Sequence, residues 1–132
     1  MTTLHAAHIE RARMLSSALK TFHRALIEAE AGADAALDNP YSRLFALIGD
    51  PRFAWMSPLS GLIVRLDEAV VDEATDAEAV SALAGEAAAL IAHGRAHADA
   101  SFRMRHLTAL QTEPHVGLAT GRLRSTLNAL AA

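Results

Sequence analysis

A chain of 132 residues, 52% hydrophobic and 20% charged, can bury about two thirds of its unfolded surface in one core, which excludes a disordered polymer. It contains no cysteine, so disulfides and thiolate chemistry are excluded. No apolar run reaches the roughly 18 residues of a membrane span, and the first thirteen residues lack a signal-peptide core, so one cytoplasmic domain over 1–132 is expected.

The net charge of −3 is unevenly spread. Residues 1–65 carry +1, residues 66–92 carry seven acids and no base, and residues 93–132 carry +3. The acidic block reads as a helix end followed by the first turn of the next helix, where Asp76 and Glu78 favour the positive end of the helix dipole. A surface for an anionic partner in the basic last third is the secondary reading. The single lysine, Lys20, beside many arginines and alanines matches the residue usage of GC-rich bacterial genomes.

The first helix is predicted over 3 to about 31. Leu4, His8, Leu15, Ala18, Phe22, Leu26 and Ala29 fall on one side, and Gly32 is placed to take the left-handed residue after the end. Asn39-Pro40 is a helix start, a capping side chain followed by a proline whose missing N–H has no intrahelical partner in any case. Asp50-Pro51 and Ser57-Pro58 repeat it, so the chain turns repeatedly between 39 and 58. Tyr41, Phe45, Phe53 and Trp55, four of six aromatics, are expected to plug one end of the core there.

From Ser57-Pro58 onward, Leu59, Leu62, Ile63, Leu66 and Val70 recur at helical spacing, with Val64 and Val71 widening the face. A helix so apolar should lie deep in a bundle. Phe53-Ala54-Trp55, Pro58-Leu59-Ser60, Leu62-Ile63 and Asp67-Glu68 together resemble a segment of short bacterial proteins of no known activity that are predicted to be helical. The resemblance covers about a seventh of the chain and implies an all-helical fold, with no activity attached.

Thr75-Asp76-Ala77-Glu78 reads as a capping box opening a helix that runs to about 111, bent at Gly85 or Gly94. Its inner stripe is expected to include Val80, Leu83, Ala87, Leu90, Ile91, Gly94, Ala98, Phe102 and Arg105. Glu113-Pro114 breaks the pattern, and Val116, Thr120, Leu123, Leu127 and Leu130 define a last helix. Gly117 and Gly121 form a GxxxG on an adjacent face, read as close packing inside the domain, with dimerisation as the alternative. The expected fold is all-α, an up-and-down bundle of four main helices with a short helix or turn near 40–56.

Little of this chain points to catalysis. No serine sits in a GxSxG elbow and no glycine loop cradles phosphate. Asp67, Glu68, Asp72 and Glu73 read as a solvated face, since general-acid work needs a buried carboxyl. Phe102-Arg103-Met104-Arg105-His106 sets bases beside an aromatic but lacks helix-turn-helix spacing, and the net charge is negative, so nucleic acid is not an expected partner. His93 and His97, four residues apart on one helix face, have the spacing of two metal ligands, and His5 and His8 are similarly close. No HExxH or Glu-x-x-His motif accompanies them. The primary reading is therefore a non-enzymatic protein-interaction or self-associating module without a cofactor. The alternative is a bundle that binds a divalent metal or haem through His93 and His97. Arg95 and Arg103 nearby disfavour a cation, and Asp99 is the lone close carboxylate in sequence able to support a ligand histidine. Untagged protein is accordingly expected to carry no stoichiometric metal, and His93→Ala with His97→Ala to leave the melting temperature unchanged. One equivalent of zinc or iron by elemental analysis, lost in the double variant, would establish the alternative.

Overall fold

Residues 2–31 contain neither glycine nor proline, and they form the longest helix of the protein, α1 (Thr2–Ala31). A computed structural model describes residues 2–32, 34–92 and 99–131, with side chains from residue 6 onward. Helix α1 ends where Gly32 takes a φ of 54° and its N–H bonds the Glu28 carbonyl at 2.9 Å, a backbone conformation costly for any residue with a Cβ. A 3-10 turn (Ala35–Leu37) leads into α2 (Pro40–Gly49), and a second (Pro51–Met56) into α3 (Ser57–Val71). Helices α4 (Ala77–Ile91), α5 (Ala100–Thr112) and α6 (Pro114–Ala131) follow, and no strand occurs among the described residues. Among the described residues no helix is long and apolar enough to cross a membrane.

Helix α1 is the shared wall of the core. Leu15, Leu19, Phe22 and Leu26 along it are at most 1% exposed. Helix α3 runs antiparallel on one flank, with Ser16 Oγ donating to Asp67 at 2.7 Å near one end and His23 facing Ser60 at 3.3 Å near the other. Helix α6 runs antiparallel on the other flank, tied by Arg11 to the Leu130 carbonyl and by His115 Nε2 to the Ala25 carbonyl. Leu59, Leu62 and Leu66 of α3 and Val116, Leu123 and Leu130 of α6 fill the space between them. Helix α4 packs beside α3, α1 and α6 with Val80, Ala87, Leu90 and Ile91 inward. Its exposed, bidentate Arg65–Glu86 bridge to α3 contributes at most about 1 kcal/mol.

Several sequence expectations change. The helix start at 57 has Met56 as its flanking residue with no side-chain cap, and Ser57 already lies within the helix, because the preceding 3-10 turn runs straight into α3. At the start of α4 the cap is Asp76, which accepts from Ala79 N–H at 2.8 Å. Thr75 instead donates to the Ala69 carbonyl at 2.7 Å, closing the end of α3. The single helix expected from 76 to 111 is two: α4 ends at an extended Ala92, and α5 restarts where Asp99 accepts from Phe102 N–H at 2.8 Å. That new start resets the helical phase. His106, 1% exposed, takes the inward position expected of Arg105, which lies outside. With the expected short helix present as α2, the described residues therefore form five further helices where four main ones were expected.

The aromatic plug also has a different membership. Phe53 is buried and Trp55 is half-buried, its Nε1 donating to Glu30 at 3.4 Å. Tyr41 and Phe45 are 74% and 72% exposed. Their places are taken by Phe22 of α1 with Phe102 and His106 of α5. Phe22 meets His106 edge-on at 5.2 Å, and Trp55 lies 5.3 Å from Phe102. On α3, Val64 and Val71 are 55% and 80% exposed, so its buried face is narrower than expected.

Phe22 is fully enclosed and Trp55 is not, which orders their contributions. Phe22→Ala is expected to cost about 3–5 kcal/mol, the range for enclosed aromatics, and Trp55→Ala about 2 kcal/mol, in keeping with partial burial. Urea unfolding of the two variants checks this, and the reverse order would contradict the packing described.

Candidate functional site

Helix α2 is fixed at both ends by its own sequence. Asn39 accepts from Tyr41 N–H at 2.8 Å and Pro40 presets the first turn, while the Asp50 N–H closes the last turn on the Ala46 carbonyl. Arg43 Nε donates to the Leu37 carbonyl at 3.1 Å, and Ala46 and Leu47 pack on the core. These contacts set the rotation of the helix, and its large residues then face outward. Tyr41 (74%), Leu44 (53%), Phe45 (72%) and Ile48 (77%) are exposed at i, i+3, i+4 and i+7. No residue of α2 is buried. Four such side chains present on the order of 500 Å² of apolar surface, the size at which a patch on a monomer is often functional.

A second unusual surface lies between α1 and α6, a groove of about 960 Å³. Ala18, Gly117 and Gly121 are its small residues, and Met14 and Leu118, 44% and 69% exposed, are its large apolar ones. The rim carries Arg13 and Arg122 against one acid, Glu10. Gly117 and Gly121 were expected to pack inside the domain. The structure places both on the surface, and a Cβ built on either meets no heavy atom within 4 Å. Among the described residues only those of α1 and α6 line this groove.

The remaining chemical candidates resolve as follows. Ser60 Oγ stands 3.3 Å from His23 Nε2, half of a nucleophile–base pair, yet the same hydroxyl is 3.3 Å from the Met56 carbonyl. Among the described residues no carboxylate bonds His23, so the orienting third group of a triad is not assembled. A hollow of about 450 Å³ beside it is lined by Lys20, Arg24 and Arg43. Lys20 bridges Asp67 at 3.1 Å, and Arg43 is held by Leu37. The Asp67 carboxyl is held below its ordinary range by the Ser16 hydroxyl and by Lys20, so it stays ionised and is no general acid. Glu68, Asp72 and Glu73 are exposed. In the basic-aromatic run, Phe102 and His106 belong to the core, which removes two of its five residues from the surface.

His93 and His97, the metal or haem candidates, lie outside the described residues, as do Gly94 and Ala98 of the expected stripe; the side chain of His5 is likewise undescribed. Among the described residues no group of three histidine, aspartate or glutamate side chains has the geometry to hold a metal ion.

Sequence reading missed the buried pair of His106 and Thr120, 3.0 Å apart. The Thr120 hydroxyl donates to the Val116 carbonyl at 2.8 Å, so its oxygen accepts from His106 Nε2–H. The signal for this was the i, i+4 spacing of Phe102 and His106, which puts both on one helix face.

No family model, curated protein or solved structure matches the chain.

Burial lowers the pKa of His23. Between that lowered value and about 6.5 in the unfolded chain, the unfolded state binds the extra proton, so stability falls as pH drops through this window. The melting temperature should decline from about pH 7.5 to 5.5, and His23→Gln should decline less. Parallel thermal melts decide this; equal declines would show that His23 is not a source of acid sensitivity.

Proposed function

We propose that this protein is a helical interaction module that docks through α2 and associates with copies of itself. The observation that supports this reading is the stripe of Tyr41, Leu44, Phe45 and Ile48, more than half exposed on one face of a helix whose ends and rotation are fixed. Burial of each such side chain is worth roughly 1.5–3 kcal/mol, so a partner that covers all four gains what the isolated chain leaves in water. An amphipathic helix that presents anchors at i, i+3, i+4 and i+7 is the recurring form of a helix-in-groove ligand.

The size of the patch also sets the strength. With on the order of 500 Å² from each side, the contact totals roughly 1,000 Å², the lower limit of specific interfaces. Association of this size is reversible and dependent on concentration, since ordering costs offset most of the apolar gain.

Substituting two of the anchors tests the reading. Phe45→Asp with Ile48→Asp should shift the melting temperature by no more than about 5 °C, because both side chains are exposed and exposed sites change stability by at most about 0.5 kcal/mol each, about 1 kcal/mol together. The wild type should show a weight-average mass that rises with concentration in sedimentation velocity, and the variant should stay at 14.0 kDa. Identical sedimentation of the two proteins would remove α2 as the docking element.

A further inference from the structure

Among the described residues two surfaces are left uncovered, and they are complementary. Helix α2 is a convex apolar edge of ten residues, about 15 Å long. The groove between α1 and α6 is concave, and along α6 it runs from Gly117 to Thr126, about 14 Å. No residue of α2 lines it. Gly117 and Gly121 leave open the space that Cβ atoms would occupy, which lets the backbone of another helix or its large side chains come close. Met14 and Leu118 supply exposed apolar walls.

Charge favours the same pairing. The groove rim carries Arg13 and Arg122 against Glu10, a net positive edge. Helix α2 carries one charge of its own, Arg43, and is bracketed by Asp38 before it and Asp50 after it; with Asp34 and Arg52 the segment has a net charge of −1. Arg52 is shared between Asp50, at 3.2 Å, and Asp34, at 3.1 Å, so one positive charge serves two carboxylates there. If instead α2 paired with α2 of a second copy, acid would face acid at both ends. An antiparallel pair sets Asp38 beside Asp50, and a parallel pair sets each beside its own copy. The groove rim carries Arg13 and Arg122 instead.

We infer that the occupant of the α1–α6 groove is α2 of a second copy of this chain, joined head to tail. This rests on the reading of α2 as the docking element. The joint is heterologous, since different surfaces of the two copies meet, and it grows into a ring or an open chain of copies.

Head-to-tail joining makes a prediction that pairing through one shared surface does not. Phe45→Asp removes the edge and keeps the groove. Gly121→Leu fills the groove and keeps the edge; the added Cβ meets no heavy atom within 4 Å, and leucine favours helix over glycine, so the variant folds. Leu118→Asp, at a side chain 69% exposed, is a second groove variant. Circular dichroism melts confirm that each is folded. In sedimentation velocity each variant alone should remain at 14.0 kDa at concentrations where the wild type assembles. An equimolar mixture of Phe45→Asp with Gly121→Leu should form a species of twice that mass and no larger one, because one intact joint remains. If both groove variants assemble like the wild type while Phe45→Asp does not, the groove is not the seat, although α2 still docks. A mixture that stays monomeric overturns the head-to-tail joint. A wild type that remains at 14.0 kDa throughout overturns both the joint and self-association.

Discussion

The apolar stripe of α1 is the constraint from which the rest of the architecture follows. Its thirty residues span about 45 Å, and Leu15, Leu19, Phe22 and Leu26 must leave water along that length. One partner helix cannot cover such a stripe. Helices α3 and α6 take its two flanks, both antiparallel to it, and α4 and α5 close the remaining side. Each of those helices buries its own stripe against α1 or a neighbour of α1, so the loss of α1 packing would expose all of them. The central position expected of residues 57–71 belongs to α1 instead, because a thirty-residue helix has room for two long neighbours and a fifteen-residue one does not.

At one end of this core the packing is aromatic and includes a polar pair. Phe22 and Phe102 flank His106, with Trp55 against Phe102, and His106 Nε2 meets Thr120 at 3.0 Å. Burying an imidazole is costly unless its ring nitrogens are bonded, and Thr120 supplies one such contact at Nε2. The hydroxyl in turn spends its proton on the Val116 carbonyl, one turn earlier in α6. This chain of bonds fixes the register between α5 and α6 in a way that apolar contacts alone do not, since polar geometry is directional and hydrophobic burial is not.

The outer surface shows the opposite economy. Helix α2 keeps Ala46 and Leu47 on the core and turns its two aromatics and two large aliphatics to water. Its position is held by short contacts at its ends and by Arg43, not by burial of its own large residues. The α1–α6 groove has the same character from the other side, apolar and small-lined yet open. Two such surfaces on one small protein are the basis for reading it as a module that completes its burial by association.

Much of the local structure was legible in the residues themselves. Asn39-Pro40 and Asp50-Pro51 start helical turns as their capping chemistry requires, Gly32 takes the left-handed position that ends α1, and Val116, Leu123 and Leu130 face inward on α6. These features depend on side chains within a few positions of one another, and sequence spacing reports them directly. The tertiary structure decided the rest. The break at Ala92 and the restart at Asp99 depend on which phase lets Phe102 and His106 reach Phe22, a contact eighty residues distant in the chain. Whether Tyr41 and Phe45 fill the core or face water depends on the rotation of α2, and a helix with apolar residues on much of its surface can bury only one side. Gly117 and Gly121 permit close approach in either setting. Where they lie relative to α1 determines that the approach is left open to another molecule, because a missing Cβ states how near a neighbour can come and not which neighbour it is.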